Sequence, residues 1–158
     1  MIMNYLTVLQ ESLEKKNAIL DEIQAVNRAQ NELFQAEKLD LQKFDSYVEQ
    51  KDTYIKELEA LDEGFETLYN NVKQQLQQNK SQYAEQIKRM QQLIGEITEK
   101  SVSIQAQESR TRDMITAYFK NERQALGQGR RSSKVAMGYY QNLSKASQEV
   151  NSIMDLKK

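Results

Sequence analysis

Apolar side chains recur along most of this chain at alternating steps of three and four residues. That is the spacing of one face of an α-helix. From about Asn4 to Ala36 the stripe reads Leu6, Leu9, Leu13, Leu20, Ile23 and Phe34. Tyr5, Ile19, Val26 and Leu33 flank it at seven-residue spacing. Together they predict a face wide enough for two neighbouring helices. Lys16, Asn27 and Gln30 interrupt the stripe; buried polar residues of this kind cost stability and can set register.

No Gly or Pro marks the next break, at Ala36 to Asp40. Asp40 has the side chain of an N-cap. Leu39 before it and Phe44 after it can close a hydrophobic staple. A second helix is then expected over 41–78, with the stripe Leu41, Phe44, Val48, Lys51, Ile55, Leu58, Asp62, Phe65, Tyr69, Val72 and Leu76. Tyr54, Leu61 and Leu68 flank it, and Gly64 lies beside the seam, where it predicts close helix approach. The stretch 74–82 is the least apolar, with Asn79 a candidate helix end and Ser81 a candidate N-cap. A third helix is expected over 81–126 through Tyr83, Ile87, Met90, Ile94, Ile97, Ile104, Ile115 and Phe119. Ser101, Glu108 and Thr111 fall on the same stripe, so this seam becomes wetter towards its end.

The pattern keeps its phase through 77–81. It therefore permits a turn there and also one unbroken helix over 41–126. Lengths favour the turn, because at 1.5 Å per residue the first two helices span about 50 and about 57 Å. An unbroken helix would run about 130 Å by the same rise. It would need a homodimer to cover its far half, so the oligomeric state stays open.

Gly127 and Gly129 end the third helix, and residues 127–131 read as a hinge. Beyond them, residues 132–158 form an arm whose apolar positions are Val135, Tyr139, Leu143, Ala146, Val150 and Ile153. Tyr139 and Tyr140 are adjacent and cannot both face one seam, so one is expected to point outward, where tyrosine favours protein contact. Met137 and Met154 add adaptable apolar surface. The candidate partner-binding residues are Val135, Tyr139, Tyr140, Leu143, Val150, Ile153 and Met154. The alternative, that the arm packs back as a fourth helix, stays open. The expected fold is all-α: an elongated antiparallel three-helix bundle or coiled coil over 1–126, with a C-terminal amphipathic helical arm.

Composition agrees with that reading. The 158 residues include no Pro and only 5 Gly. They also include no His and no Cys, which removes the usual general bases and thiol nucleophiles. Carboxylate pairs at Glu57/Glu59, Asp62/Glu63 and Glu63/Glu66 read as solvent-facing charge. No phosphate loop or metal-ligand spacing appears, and Gly127-Gln-Gly129 has no strand before it. No enzyme activity, no cofactor and no metal are expected. Neither a signal peptide nor a run long enough to cross a bilayer is present, so no membrane insertion and a cytoplasmic location are expected. Charge is polarised: residues 1–108 carry 12 basic and 19 acidic groups, and residues 109–158 carry 10 basic and 4 acidic. Arg130, Arg131 and Lys134 are too few for a phosphate footprint, and the acidic body would repel a nucleic acid.

The chain resembles the FlgN-type flagellar export chaperones, in the version typical of clostridial bacteria. Leu39-Asp-Leu-Gln-Lys-Phe44, followed by Lys51, Ile55, Leu58 and Leu61, is similar to that family's second-helix opening. Ile104-Gln-Ala-Gln-Glu108 with Tyr118-Phe119 resembles its third-helix signature. Tyr139/Tyr140 and Met154-Asp-Leu-Lys-Lys158 look like its tail. The resemblance implies a cytoplasmic chaperone of flagellar type III secretion that binds hook-filament junction (hook-associated) proteins through residues 132–154. The acidic body is then a candidate surface for the export apparatus. Two alternatives remain: a FliT-like chaperone of the filament cap protein, and a structural coiled-coil or tethering protein.

Overall fold

The computed structural model describes residues 2–122. Three long α-helices make the bundle: α1 over Ile2–Glu32, α2 over Leu41–Gln78 and α3 over Ala84–Glu122. The fold is all-α. The expected hinge and arm, and the last residues assigned to the third helix, lie outside the described residues.

α1 ends earlier than the periodicity suggests. Leu33–Gln35 tighten into a 3-10 turn, and Ala36 is extended at φ −75°, ψ 154°. Phe34 therefore does not continue the α1 stripe. Its ring meets Phe44 edge-on at 5.8 Å and helps turn the chain towards α2. Asp40 caps α2 as its chemistry predicts: its carboxylate accepts from the Lys43 amide at 3.0 Å. Leu39 and Phe44, the two ends of the expected staple, are buried in one cluster.

Between α2 and α3 the chain reverses over Asn79–Tyr83, so the unbroken helix over 41–126 does not form. Asn79 organises the reversal. Its amide donates to the carbonyls of Gln75 and Leu76 at 3.1 and 3.3 Å, and its side chain donates again to Gln75 at 2.8 Å. Its carbonyl accepts from the Gln82 and Tyr83 amides. α3 starts at Ala84 rather than Ser81, because buried Tyr83 supplies the first carbonyl of the helix, to the Ile87 amide at 3.0 Å.

Cross-helix bonds give the packing. Asn17–Glu96, Asn27–Gln107 and Asn31–Thr111 join α1 to α3 at separations of 79 to 80 residues, so the two run parallel without slip. Lys16–Asp62 and Asn27–Lys51 join α1 to α2 in the antiparallel sense. The backbone of α1 lies closer to both partners than they lie to each other, so α1 is the central helix. Leu6, Leu9, Leu20, Ile23, Leu58, Leu76, Met90, Leu93, Ile94 and Ile97 are almost completely buried. Two expectations fail on exposure. Tyr5 is 42% exposed, because it sits beyond the edge of the α1 face that its neighbours cover. Gly64 is exposed, and nothing among the described residues lies within 4 Å of where its Cβ would be, so none of the three helices approaches there.

These contacts set a graded series of stabilities. Leu9→Ala should cost about 2–5 kcal/mol from lost burial and the cavity left behind. Asp40→Ala should cost about 0.5–2 kcal/mol from the lost cap. Val102→Ala, at a position 62% exposed, should cost close to nothing. Urea melts of the three variants check the order.

Candidate functional site: a buried polar layer

The seven candidate partner-binding residues, Val135, Tyr139, Tyr140, Leu143, Val150, Ile153 and Met154, lie outside the described residues. Within those residues the structure gathers the polar interruptions of the three stripes into a layer across the bundle. Asn27 and Gln30 come from α1, Lys51 from α2, Glu108 and Thr111 from α3, and all are buried. Helical steps of three and four bring them to one level, because α1 and α3 run in parallel register and α2 runs against both.

Lys51 is the centre. Its Nζ donates to Glu108 Oε1 at 2.7 Å, to Gln30 Oε1 at 2.7 Å and to Asn27 Oδ1 at 3.0 Å. An ammonium has three protons, so its donor capacity is filled. The amides pass the network on: Asn27 Nδ2 donates to Gln107 Oε1 at 3.1 Å, and Gln30 Nε2 reaches the Phe44 carbonyl at 3.4 Å. Thr111 Oγ1 donates to Asn31 Oδ1 at 2.9 Å beside the layer. Burial pushes the Lys51 ammonium below the ordinary lysine value, against the opposing charge and hydrogen bond of Glu108.

A second ion pair lies within the body, away from the layer. Lys16 Nζ donates to Asp62 Oδ1 at 2.7 Å, with the side chains 7% and 14% exposed. Asp62 therefore does not belong to the solvent-facing charge of α2, as the carboxylate pairs suggested. It occupies a half-buried stripe position and turns inward to meet the buried Lys16. Glu57, Glu59, Glu63 and Glu66 are exposed. Burial raises the Asp62 carboxyl above the ordinary aspartate value, and Lys16 opposes this.

The layer divides the interior in two. On one side lies the main cluster, ending at Ile23, Ile55 and Ile104. On the other lies a smaller distal cluster of Leu39, Phe44, Val48, Ile115 and Phe119, with Leu33, Phe34, Leu41 and Tyr118 packed against it. Beyond Thr111, α3 has no α1 residue in register, so the 3-10 turn and the following loop cover this end.

The polar residues were visible in the sequence as stripe interruptions, but their partners were not. The signal that pairs them is depth: once the turn is placed at Asn79, Lys16 with Asp62 and Asn27 with Lys51 fall at matching levels. Leu93, buried at 1% exposure, was missed altogether because it stands one step off the α3 stripe. Among the described residues, no group of His, Cys, Asp or Glu could hold a metal ion, and no helix is long and apolar enough to cross a membrane. Compared with family models, characterised proteins and solved structures, the chain matches none.

Two variants probe the pairs. Lys51→Met leaves Glu108 buried without its cation and should cost about 3–5 kcal/mol in a chemical melt. Asp62→Asn tests the titration. With its folded value raised above 3.8, the folded chain holds more protons than the unfolded one between 3.8 and that value. Stability from Asp62 is thus full below 3.8 and falls as pH rises through the window. Melts across that range should show a shallower downward slope in Asp62→Asn than in the parent.

Proposed function

We propose that this chain is a non-enzymatic binding protein of the flagellar export chaperone type. Its C-terminal arm captures the helical ends of hook-filament junction proteins before export, in the cytoplasm. The observation that carries the reading is that the stripes of α1, α2 and α3 bury one another, while a further amphipathic stripe, Val135 to Ile153, follows two glycines. The bundle then acts as a body, and the arm as the element that pairs with a partner helix. An arm and a junction-protein end that order together give moderate affinity and allow release. The resemblance of the Leu39–Phe44 and Ile104–Glu108 stretches to FlgN-type chaperones names the partner class. The absence of His and Cys from the chain supports the non-enzymatic part.

The test is capture of unassembled junction proteins by the full chain and by a chain ending at Gly129. Truncation should abolish capture and leave the cooperative melting of the bundle in place. In the full-length protein, Tyr139→Ala with Leu143→Ala should weaken capture at least tenfold, about 1.4 kcal/mol, with circular dichroism unchanged. Undiminished binding by the truncated chain would overturn the assignment of the arm. Preferential capture of the filament cap protein would move the chain to the FliT-like alternative.

A further inference from the structure

We propose that the buried polar layer is a breakpoint. The distal end of the bundle, residues 33–50 with 112–122, opens and recloses as one unit while the body stays folded. This inference does not depend on the function proposed above.

Four observations carry it. First, Asn27, Gln30, Lys51, Glu108 and Thr111 separate two hydrophobic clusters that would otherwise form one core. Second, among the described residues the clusters are unequal: five buried hydrophobic side chains hold the distal end, against eighteen in the body. Third, among the described residues the cover of the distal end is light. The 3-10 turn Leu33–Gln35 has no buried residue and no side-chain cap, and the Gln30 bond to the Phe44 carbonyl is long at 3.4 Å. Fourth, opening at this level returns Lys51, Glu108 and two amides to water. Hydration of those groups offsets part of the cost of exposing Phe44, Ile115 and Phe119. A purely apolar layer would give no such return, so the split falls here rather than at Ile55 or Ile104. Local opening at a weakly covered, polar-bounded segment is how sub-global unfolding units arise.

The last described turns of α3 belong to the opening unit. Phe34, Phe44 and Phe119 become accessible in the same event.

Native-state hydrogen exchange on the full-length protein, at rising sub-denaturing guanidinium, is the test. Amides of 42–50 and 113–120 should exchange through an opening with a smaller denaturant dependence than those of 55–76 and 87–104. The change should come as a step across the layer, between 50 and 55 in α2 and between 104 and 112 in α3. A smooth gradient towards the bundle end would mean simple fraying, and equal protection throughout would mean one cooperative unit; either overturns the proposal. The variant carrying Asn27→Leu, Gln30→Leu, Lys51→Met and Glu108→Leu should fuse the two clusters. It should slow exchange of the distal amides by roughly tenfold or more, towards the rate of the body. An unchanged step in that variant would also overturn the proposal, and if the variant fails to fold, the step in the parent protein decides.

Discussion

The ammonium of Lys51 is shared among three helices. It takes a carboxylate from α3 and two amide oxygens from α1, all within 3.0 Å. A charge this well buried is tolerated only when every proton has a partner and the countercharge is close. That requirement is strict about geometry. A shift of α2 by one residue would turn Lys51 away from Glu108 and leave both buried without a match. An apolar seam penalises such a slip much less, because one leucine replaces another. The layer therefore does more for the uniqueness of the arrangement than for its free energy, as isolated polar positions do in coiled coils.

The remaining architecture follows from that register. α1 is the helix that both others approach, and its polar positions alternate in partner. Lys16 reaches α2, Asn17 reaches α3, and Asn27 reaches both. α1 is also the shortest helix, 31 residues against 38 for α2. Its early end leaves a gap between the start of α2 and the end of α3. Leu33, Phe34 and Leu39 fill that gap. The loop from α1 to α2 is thus part of the packing, whereas the turn at Asn79 is held by backbone and amide hydrogen bonds.

Most of this fold was legible because the sequence is one long periodic pattern. Every buried position of α2 falls on its seven-residue pattern, and Asp40 announces its helix start by chemistry that needs no tertiary context. The break at Ala36 to Asp40 was legible, but the early end of α1 was not, since residues 33–36 are as good helix formers as those before them. What stops the helix is the contact of Phe34 with Phe44, a tertiary event. Gly64 misled for the opposite reason: small size permits close approach, but only a partner helix can use it. Asp62 was read two ways, as a stripe position and as part of a charged face, and only the buried Lys16 decides between them. The layer itself needed the register of all three helices at once, which one-dimensional spacing does not contain.

The proposed likeness to export chaperones rests on residues to which the bundle itself gives a role. Leu39, Asp40 and Phe44 start α2 and close the distal cluster, Lys51 and Glu108 form the buried pair, and Phe119 seals the end. These are positions where the architecture demands a particular chemistry: a cap, a staple, a matched charge, an aromatic seal. A bundle of this kind needs such chemistry whatever it binds. Evidence for the partner has to come from surfaces that the bundle does not need for itself.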